Sequence, residues 1–495
     1  MKNNIFANLI GKFWGLLSNF LFIPLYIHIL GFDNYSIISF TLILIAIMAI
    51  LDVGISASLT REIASSENSN KDKVSIFNTL ETLYIFITFI SIGFLFFLSP
   101  YIASNWINVS HLESGYLSNL LKIVAFGIGF EILLRFYFAG FIGLDRQVLS
   151  NQYRVLWGVF RNALVIIPIY YIKSLLIFFL WQTLITFLFL IFVKFHLHAL
   201  LYTNKNEYHF LKFDKSIIMK IWKFAGSIFL ISLIAVLNTQ MDKLALSKLL
   251  SIEVLGLYML AFSLSNVINI VGTSISISFL PKLTEYFTDK KNVNDRISMV
   301  KQALIVNSVF IISISTILSV FSQQIIYAWT NNSTLSINAG LLLPYIVIGS
   351  AFLSLQGVFF NVAIANGFMR YNNIIGIISL FFTLPGYWFF THMFGSLGAA
   401  ITFSITQFSI FIIYSYLINK KFIKMNIYKY YFNKILLPFV LSLIVSIIFL
   451  NFIFFMNNRF LIVINLLFIS MIIFAINSCI LGLKKFFFKS KDNIF

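Results

Sequence analysis

The sequence predicts an all-α, polytopic membrane protein with about fourteen transmembrane helices. Three observations support this fold class. Of the 495 residues, 60% are hydrophobic and only 11% are charged, whereas soluble globular domains are about 45–50% apolar. Apolar runs of about 20 residues, the length that crosses a bilayer, recur along the whole chain. The 35 Lys and Arg residues, which dominate a net charge of +18, concentrate in alternate segments between these runs.

The apolar runs place the helices in order along the chain. They predict helices over residues 5–30, 36–60, 78–100, 117–140, 155–172, 174–194, 224–247, 255–279, 302–322, 340–365, 373–391, 396–418, 435–456 and 460–483. A cytoplasmic N-terminus puts most Lys and Arg residues on the cytoplasmic side, and this bias predicts that both termini lie there. The residues left on the opposite side are Lys122, Lys173, Lys248 and Arg459. The basic excess therefore indicates topology and anionic lipid headgroups, not nucleic acid.

The chain also contains an internal repeat at an offset of about 220 residues. The matching landmarks are Arg61 with Lys282, Arg146 with Arg370, Pro168 with Pro385, and Ser174 with Ser396. Six predicted helices, an even number, separate the copies, so both copies keep one orientation and form two parallel six-helix lobes. The predicted parts are an N-lobe over 1–195, a cytoplasmic linker over 196–223, a C-lobe over 224–418, and two C-terminal helices with a basic tail over 419–495.

Several segments together resemble one family. They are Ile23–Gly31, Leu51–Glu62, Met241–Lys243, Leu255–Tyr258 and Phe394–Ala400. They resemble the polysaccharide-repeat flippases, often called O-antigen flippases, of the multidrug/oligosaccharidyl-lipid/polysaccharide exporter superfamily. The resemblance implies a bacterial inner-membrane carrier that moves undecaprenyl-diphosphate-linked oligosaccharide, an O-antigen or capsule repeat unit, across the membrane by alternating access. It also implies membrane lipids as partners and, among proteins, a polysaccharide polymerase and a chain-length regulator.

Basic residues inside the predicted helices are candidates for binding such a headgroup. An ionisable group at mid-membrane costs at least about 2.5–3.5 kcal/mol, so it needs a partner, a wet cavity or a function. Guanidinium and ammonium groups bind phosphate oxygens, and Lys12, Arg135 and Arg161 are therefore predicted to clamp the diphosphate. Two alternatives stay open: Lys12 and Arg161 extend to the lipid headgroups, or Arg135 pairs with Glu131, four residues earlier on one helix face.

Acidic and polar groups complete the predicted site. Buried carboxylates take up protons or cations, so coupling to an H⁺ or Na⁺ gradient, or gating, is predicted for Asp52, Glu131 and Asp242. The alternative for Asp52 is pairing with Lys12 or a backbone amide, and the alternative for Glu131 is the ion pair with Arg135. A polar stripe beside Asp242 is predicted to line the substrate cavity through Asn238, Gln240 and Lys243.

Basic residues at the cytoplasmic ends of predicted helices suggest an entrance for the headgroup. Arg61, Lys282 and Arg370 occupy repeat-related or neighbouring landmark positions, where they would concentrate an anionic substrate. The alternative is that these residues only set the topology. The last two helices are predicted to form a groove for the polyprenyl tail.

The sequence predicts a carrier without a cofactor or metal site, not an enzyme. The single cysteine and six scattered histidines lack the spacing of metal ligands, and no P-loop is present. A membrane glycosyltransferase or polymerase would need acidic residues outside, where the loops offer only Asp33, Glu113 and Glu253. Two alternatives within transport stay open, a drug/cation antiporter of the same superfamily and a peptidoglycan-precursor flippase.

Overall fold

The architecture is that of a computed structural model, which describes residues 18, 20–52, 54–67, 69–109, 111–202, 213–288, 292–454 and 458–483. Within these residues the regular structure is helical, with one isolated bridge between Asn108 and Ser251. Helices suit a chain in lipid because each helix satisfies its own backbone N–H and C=O groups.

The helices follow one another closely along the chain. Those before residue 250 are α1 Phe20–Leu30, α2 Phe32–Met48, α3 Ile55–Ala64, α4 Asn70–Tyr101, α5 Ser114–Gly143, α6 Gln147–Gly158, α7 Ile166–Ile172, α8 Leu175–Leu201 and α9 Lys215–Leu249. Those after it are α10 Ile252–Thr288, α11 Val293–Val320, α12 Ser322–Thr330, α13 Ser333–Ala365, α14 Arg370–Ile418, α15 Ile427–Tyr431, α16 Leu437–Phe454 and α17 Arg459–Leu481. Short 3-10 or π turns adjoin them at Ala49–Asp52, Ile102–Trp106, Val159–Ala163, Asn419–Ile423 and Phe432–Leu436.

Twelve helical segments in the described ranges are long and apolar enough to cross a membrane. This confirms an all-helical, multi-pass membrane protein. The longest segment, Arg370–Ile423, has 54 residues and contains the predicted helices 373–391 and 396–418. Gly395, at φ 61° and ψ −144°, interrupts the helical backbone between them. The number fourteen and the orientation of the termini stay predictions.

The predicted helix over 36–60 is wrong as a continuous helix. Helix α2 ends at Met48, a 3-10 turn follows, and α3 begins at Ile55. Gly54 lies between them at φ 69°, the left-handed region that favours glycine. The Asp52 carboxylate accepts the backbone N–H of Ser56 at 3.1 Å in the first turn of α3. The left-handed glycine at the N-cap of α3 and the carboxylate that accepts a first-turn N–H of that helix together account for the break.

The chain divides by packing into two compact units, Met1–Gly256 and Leu257–Phe495. These units do not test the predicted lobe and linker boundaries. The units are defined by packing, whereas the predicted boundaries are defined by the sequence repeat. Helix α9, for example, packs against α2, α3 and α4 within the first unit, although the repeat assigns it to the C-lobe. The boundaries at 195, 223 and 418 therefore stay predictions.

Helix α5 is the central element of the first unit and packs against α3, α4 and α8. Its glycines permit this close packing. A Cβ on Gly140 would lie 2.6 Å from Leu197 Cδ2, and a Cβ on Gly143 would lie 2.9 Å from Ile63 Cβ. The packing fixes the rotation of α5 and so the direction of its charged side chains.

In the second unit, α13 packs against α11, α12 and α14. The two C-terminal helices, α16 and α17, pack against α11. Ile462, Ile469 and Ile473 lie on one face of α17 and form a buried cluster with Phe321. The last two helices are thereby part of the core of the second unit.

Candidate functional site

Three charged side chains meet in the first unit, and we call them the Glu131 cluster: Glu131, Arg135 and Arg161. Glu131 is buried in α5. Arg135, one turn later, donates from Nη2 to Glu131 Oε1 at 2.6 Å, and Arg161 donates from Nη1 to Glu131 Oε2 at 2.9 Å. The i,i+4 spacing predicts the first contact. The second contact comes from a residue 30 positions away, so the fold alone brings it there.

The two arginines of the cluster differ in exposure. The Arg135 side chain is 43% exposed and the Arg161 side chain is 16% exposed, against 7% for Glu131. The Arg161 guanidinium stacks over the Trp157 ring at 5.0 Å. Its Nε is buried without a hydrogen-bond partner among the described residues. The Arg161 guanidinium is thus directed at Glu131 in this structure.

A π turn places Arg161. The turn Val159–Ala163 separates α6 from α7 inside the predicted helix 155–172. Such turns widen the helix locally and are frequent at functional sites. The Tyr26 hydroxyl donates to the Asn162 carbonyl at 2.6 Å, which ties α1 to the turn. The helix interruption therefore positions one member of the Glu131 cluster.

Asp52 is half-buried at the break between α2 and α3. Its carboxylate accepts hydrogen bonds from the Tyr84 hydroxyl at 2.6 Å and from Ser56 Oγ at 2.7 Å, besides the Ser56 N–H. A contact of Asp52 with a backbone amide, one of the alternatives left open by the sequence, is therefore present, and its coupling role stays a prediction. The Tyr84 ring lies 4.8 Å from the ring of Phe136, the neighbour of Arg135.

Asp242 and Lys243 form a buried ion pair in α9. Their exposed fractions are 1% and 3%. Lys243 Nζ lies 3.1 Å from Asp242 Oδ1 and donates to the Thr239 carbonyl at 2.6 Å. Asn238 donates to the Ile234 carbonyl at 2.9 Å. Asn238 and Gln240 are half-buried; the lining of a substrate cavity by this stripe stays a prediction.

The remaining predicted residues are dispersed. Lys12 lies outside the described residues. Arg61 is exposed and stacks over the Phe224 ring at 4.8 Å, within the first unit. Lys282 and Arg370 are exposed residues of the second unit. A common entrance formed by these basic residues stays a prediction.

Glu81 is a buried acid that the sequence did not single out. It accepts hydrogen bonds from the Tyr137 hydroxyl at 2.6 Å, from His198 Nε2 at 3.1 Å, and pairs with Lys194 Nζ at 3.2 Å. Lys194 and His198 lie one turn apart on α8. This i,i+4 pair of basic residues near the end of an apolar helix was the sequence feature that could have indicated a buried acidic partner. Tyr84, three residues after Glu81, continues the same polar face of α4 toward Asp52.

The second unit contains an apolar groove of about 480 Å³. Four helices and the residues around α15 line it, including Ile312 of α11, Phe352 of α13, Phe411 of α14, Tyr431 of α15 and Phe439 of α16. The Tyr431 hydroxyl lies 2.6 Å from Ser415 Oγ, so the phenol is satisfied. The groove uses α16, the first of the two C-terminal helices, with α11, α13 and α14.

A family model described as polysaccharide biosynthesis protein matches residues 1–287, more than half of the chain. The chain belongs to this family. The matched part contains the whole Glu131 cluster, Asp52 and Asp242.

Two proteins with similar sequences have names that refer to polysaccharide biosynthesis or transport. The capsular polysaccharide biosynthesis protein CapF of Staphylococcus aureus is 28% identical over 187 residues, which are 38% of this chain. The match spans about half, 46%, of the CapF length. A Shigella flexneri protein whose name includes the words O-antigen transporter is 21% identical over 379 residues, 76% of this chain and 87% of that protein.

The fold of this chain is similar to that of solved structures. The lipid II flippase MurJ, in an inward closed conformation, has a TM-score of 0.67 at 17% identity, over 97% of this chain and 98% of that chain. An inward-facing multidrug resistance MATE family transporter of the MOP superfamily has a TM-score of 0.61 at 12% identity, over 83% and 95%. At these identities the likeness shows the fold alone.

Proposed function

We propose that this protein is a flippase that carries a polyprenyl-diphosphate-linked oligosaccharide across the bacterial inner membrane by alternating access. One observation carries the proposal: two guanidinium groups converge on a single buried carboxylate, Glu131, among membrane-spanning helices. The names of the two relatives and the family match agree with a polysaccharide-linked substrate.

The charge balance of the Glu131 cluster favours an anionic ligand. Two arginines and one glutamate leave one positive charge in excess, and Arg135 remains 43% exposed. A diphosphate offers several oxygens that accept paired N–H donors from guanidinium groups. We propose that the headgroup takes over donors that Arg135 and Arg161 give to Glu131 in this structure.

This exchange would also couple transport to an ion. A carboxylate that loses both arginine partners in a helix bundle is strongly disfavoured until it binds a proton or a cation. Glu131 would then take up H⁺ or Na⁺ when the headgroup binds and release it when the headgroup leaves. Asp52, held by Tyr84 and Ser56, and Asp242, paired with Lys243, are the further coupling candidates.

The polyprenyl tail needs an apolar path. The groove among α11, α13, α14 and α16 is lined by aliphatic and aromatic side chains. Burial of isoprenoid methylene and methyl groups there would be favourable relative to water and close to neutral relative to lipid. We propose this groove as a binding site for the polyprenyl tail.

Transport by purified protein in proteoliposomes tests the proposal. Loss of a charge-assisted contact costs about 1.5–3 kcal/mol, so Arg135→Gln and Arg161→Gln should each slow translocation of the lipid-linked oligosaccharide by about tenfold or more. Arg146→Gln is the matched control. Arg146 is an exposed arginine of the first unit, at the start of α6 and outside the Glu131 cluster, so the transport rate of this variant should stay within about twofold of wild type.

Two outcomes would overturn the assignment. If the protein exports a cationic dye but moves no polyprenyl-diphosphate sugar, it is the antiporter of the same superfamily. If the Arg135→Gln and Arg161→Gln proteins transport at the wild-type rate, the cluster does not hold the headgroup. A lipid-linked peptidoglycan precursor as competitor would separate the two flippase functions.

A further inference from the structure

Three side chains of types that can bind a metal ion lie close together in the first unit. Asp33 lies in the first turn of α2, His111 between α4 and α5, and Glu253 in the first turn of α10. One ligand atom from each lies within 4.8 Å of the other two. His111 Nε2 and Asp33 Oδ2 are 3.8 Å apart, beyond hydrogen-bond distance. Asp33 and Glu253 are two of the few acids on the side that is predicted to face the periplasm.

The segment before His111 is held against the start of α10. The backbone pairs at Asn108 and Ser251, where the Ile252 N–H donates to the Asn108 carbonyl at 3.1 Å. The Trp106 indole N–H donates to Ser247 Oγ at 3.0 Å. These tertiary contacts bring His111 beside Glu253, although the two residues are far apart in the sequence.

Close helix packing brings the two carboxylates together. A Cβ on Gly256 would lie 2.8 Å from Ser36 Cβ and 3.1 Å from the Phe32 ring, so α10 meets α2 at this glycine. Glu253 precedes Gly256 by three residues, and Asp33 precedes Ser36 by three. Both acids are therefore about one helical turn from the contact, on neighbouring first turns.

Glu253 provides an independent indication of a cationic ligand. Its Oε1 is shielded from solvent and accepts no hydrogen bond among the described residues. A shielded carboxylate oxygen without a hydrogen-bond donor is unfavourable unless a cation or proton approaches it. Asp33 and His111 are 55% and 62% exposed in their side chains, so an ion can enter and both side chains can move toward it.

We propose that Asp33, His111 and Glu253 bind one divalent first-row transition-metal ion, of which Zn²⁺ is the representative. An imidazole nitrogen with two carboxylates suits Zn²⁺ or Mn²⁺, whereas Ca²⁺ and Mg²⁺ prefer oxygen ligands alone. Zn²⁺ binds N and O ligands at about 2.0–2.2 Å, with water in an open fourth position. The ligand atoms need to draw together by about 1 Å, a shift that the two exposed side chains permit. The ion would tie α2, the His111 segment and α10 together.

Zn²⁺ titration of the purified full-length protein tests the site. After cleavage of any histidine tag and treatment with chelator, isothermal titration in nanodiscs should show one Zn²⁺ per chain, and Zn²⁺ should raise the unfolding temperature. His111→Ala and Glu253→Gln should each weaken binding by at least about tenfold and abolish the thermal shift. Ca²⁺ and Mg²⁺ should not compete at equal concentration.

Two variants control for unspecific binding. Glu113→Gln removes a neighbouring acid outside the cluster, and His392→Ala removes an exposed histidine of α14; both should bind Zn²⁺ as wild type does. Absence of stoichiometric Zn²⁺ binding by the wild-type protein would overturn the proposal, and so would equal affinity of the His111→Ala protein. Displacement of Zn²⁺ by Ca²⁺ would overturn the choice of metal class. None of these outcomes depends on the proposed transport function.

Discussion

Two guanidinium groups share one buried carboxylate inside a helix bundle, and the Asp52 carboxylate also interacts electrostatically with Arg135. At the scale of single residues, this arrangement distinguishes the Glu131 cluster from the Asp242–Lys243 pair, in which one acid balances one base. The sequence offered the contact between Glu131 and Arg135 as one alternative, because helix periodicity places residues four apart on one face. It did not predict that Arg161 shares the same carboxylate, because that contact depends on helix rotation and on the π turn.

Neutralising the charges of the cluster in two steps separates a structural role from a binding role. Glu131→Gln removes the negative charge and one of the two oxygens that accept from the arginines, so it should lower the free energy of unfolding by about 1–3 kcal/mol. Adding Arg135→Gln restores the wild-type net charge and should recover most of that stability, as thermal unfolding in detergent would show. Transport should nevertheless stay at least about tenfold slower than wild type.

The double variant decides between the two roles. If Glu131→Gln/Arg135→Gln restores both stability and transport, the arginine serves only to neutralise Glu131. Recovery of stability without transport supports a headgroup contact.

Helix interruptions are the features of individual elements that position the site. The break at Asp52 and Gly54 and the π turn at Val159–Ala163 each place a charged residue where a regular helix would not. Hydropathy predicted the helices around both interruptions, because apolar runs report burial in lipid. It could not predict the interruptions, because they depend on one backbone angle and on side chains from other helices, such as Tyr84 and Tyr26.

Substitution of Gly54 tests the first interruption. Gly54 has φ 69°, and an added Cβ would lie 2.8 Å from the Ala225 carbonyl oxygen and 2.8 Å from Ile228 Cβ. Gly54→Ala should therefore destabilise the protein by about 1–3 kcal/mol, measured by thermal unfolding.

Gly226→Ala is the matched control in the neighbouring helix α9. Gly226 is helical and has open space around its Cβ position, so alanine there should be neutral or stabilise by up to about 1 kcal/mol. Equal effects of the two substitutions would show that the break at Gly54 imposes no constraint.

At the scale of the whole molecule, the Glu131 cluster and the apolar groove belong to different compact units. The Glu131 cluster lies in the unit Met1–Gly256, and the groove of about 480 Å³ lies in the unit Leu257–Phe495. Composition and hydropathy predicted the multi-pass helical fold, since both report on the solvent. They could not predict that α9 packs with the first unit, because packing partners depend on shape and not on the period of a repeat.

The affinity for undecaprenyl diphosphate, compared with that for uncharged undecaprenol in the same nanodiscs, tests the central claim most directly. Wild-type and Arg146→Gln proteins should prefer the diphosphate, and Arg135→Gln/Arg161→Gln should lose that preference by at least about tenfold. Undecaprenol binding should stay unchanged in all three proteins if the proposed tail groove remains intact. An undiminished preference for the diphosphate in the double variant would contradict the claim that these two arginines bind the headgroup.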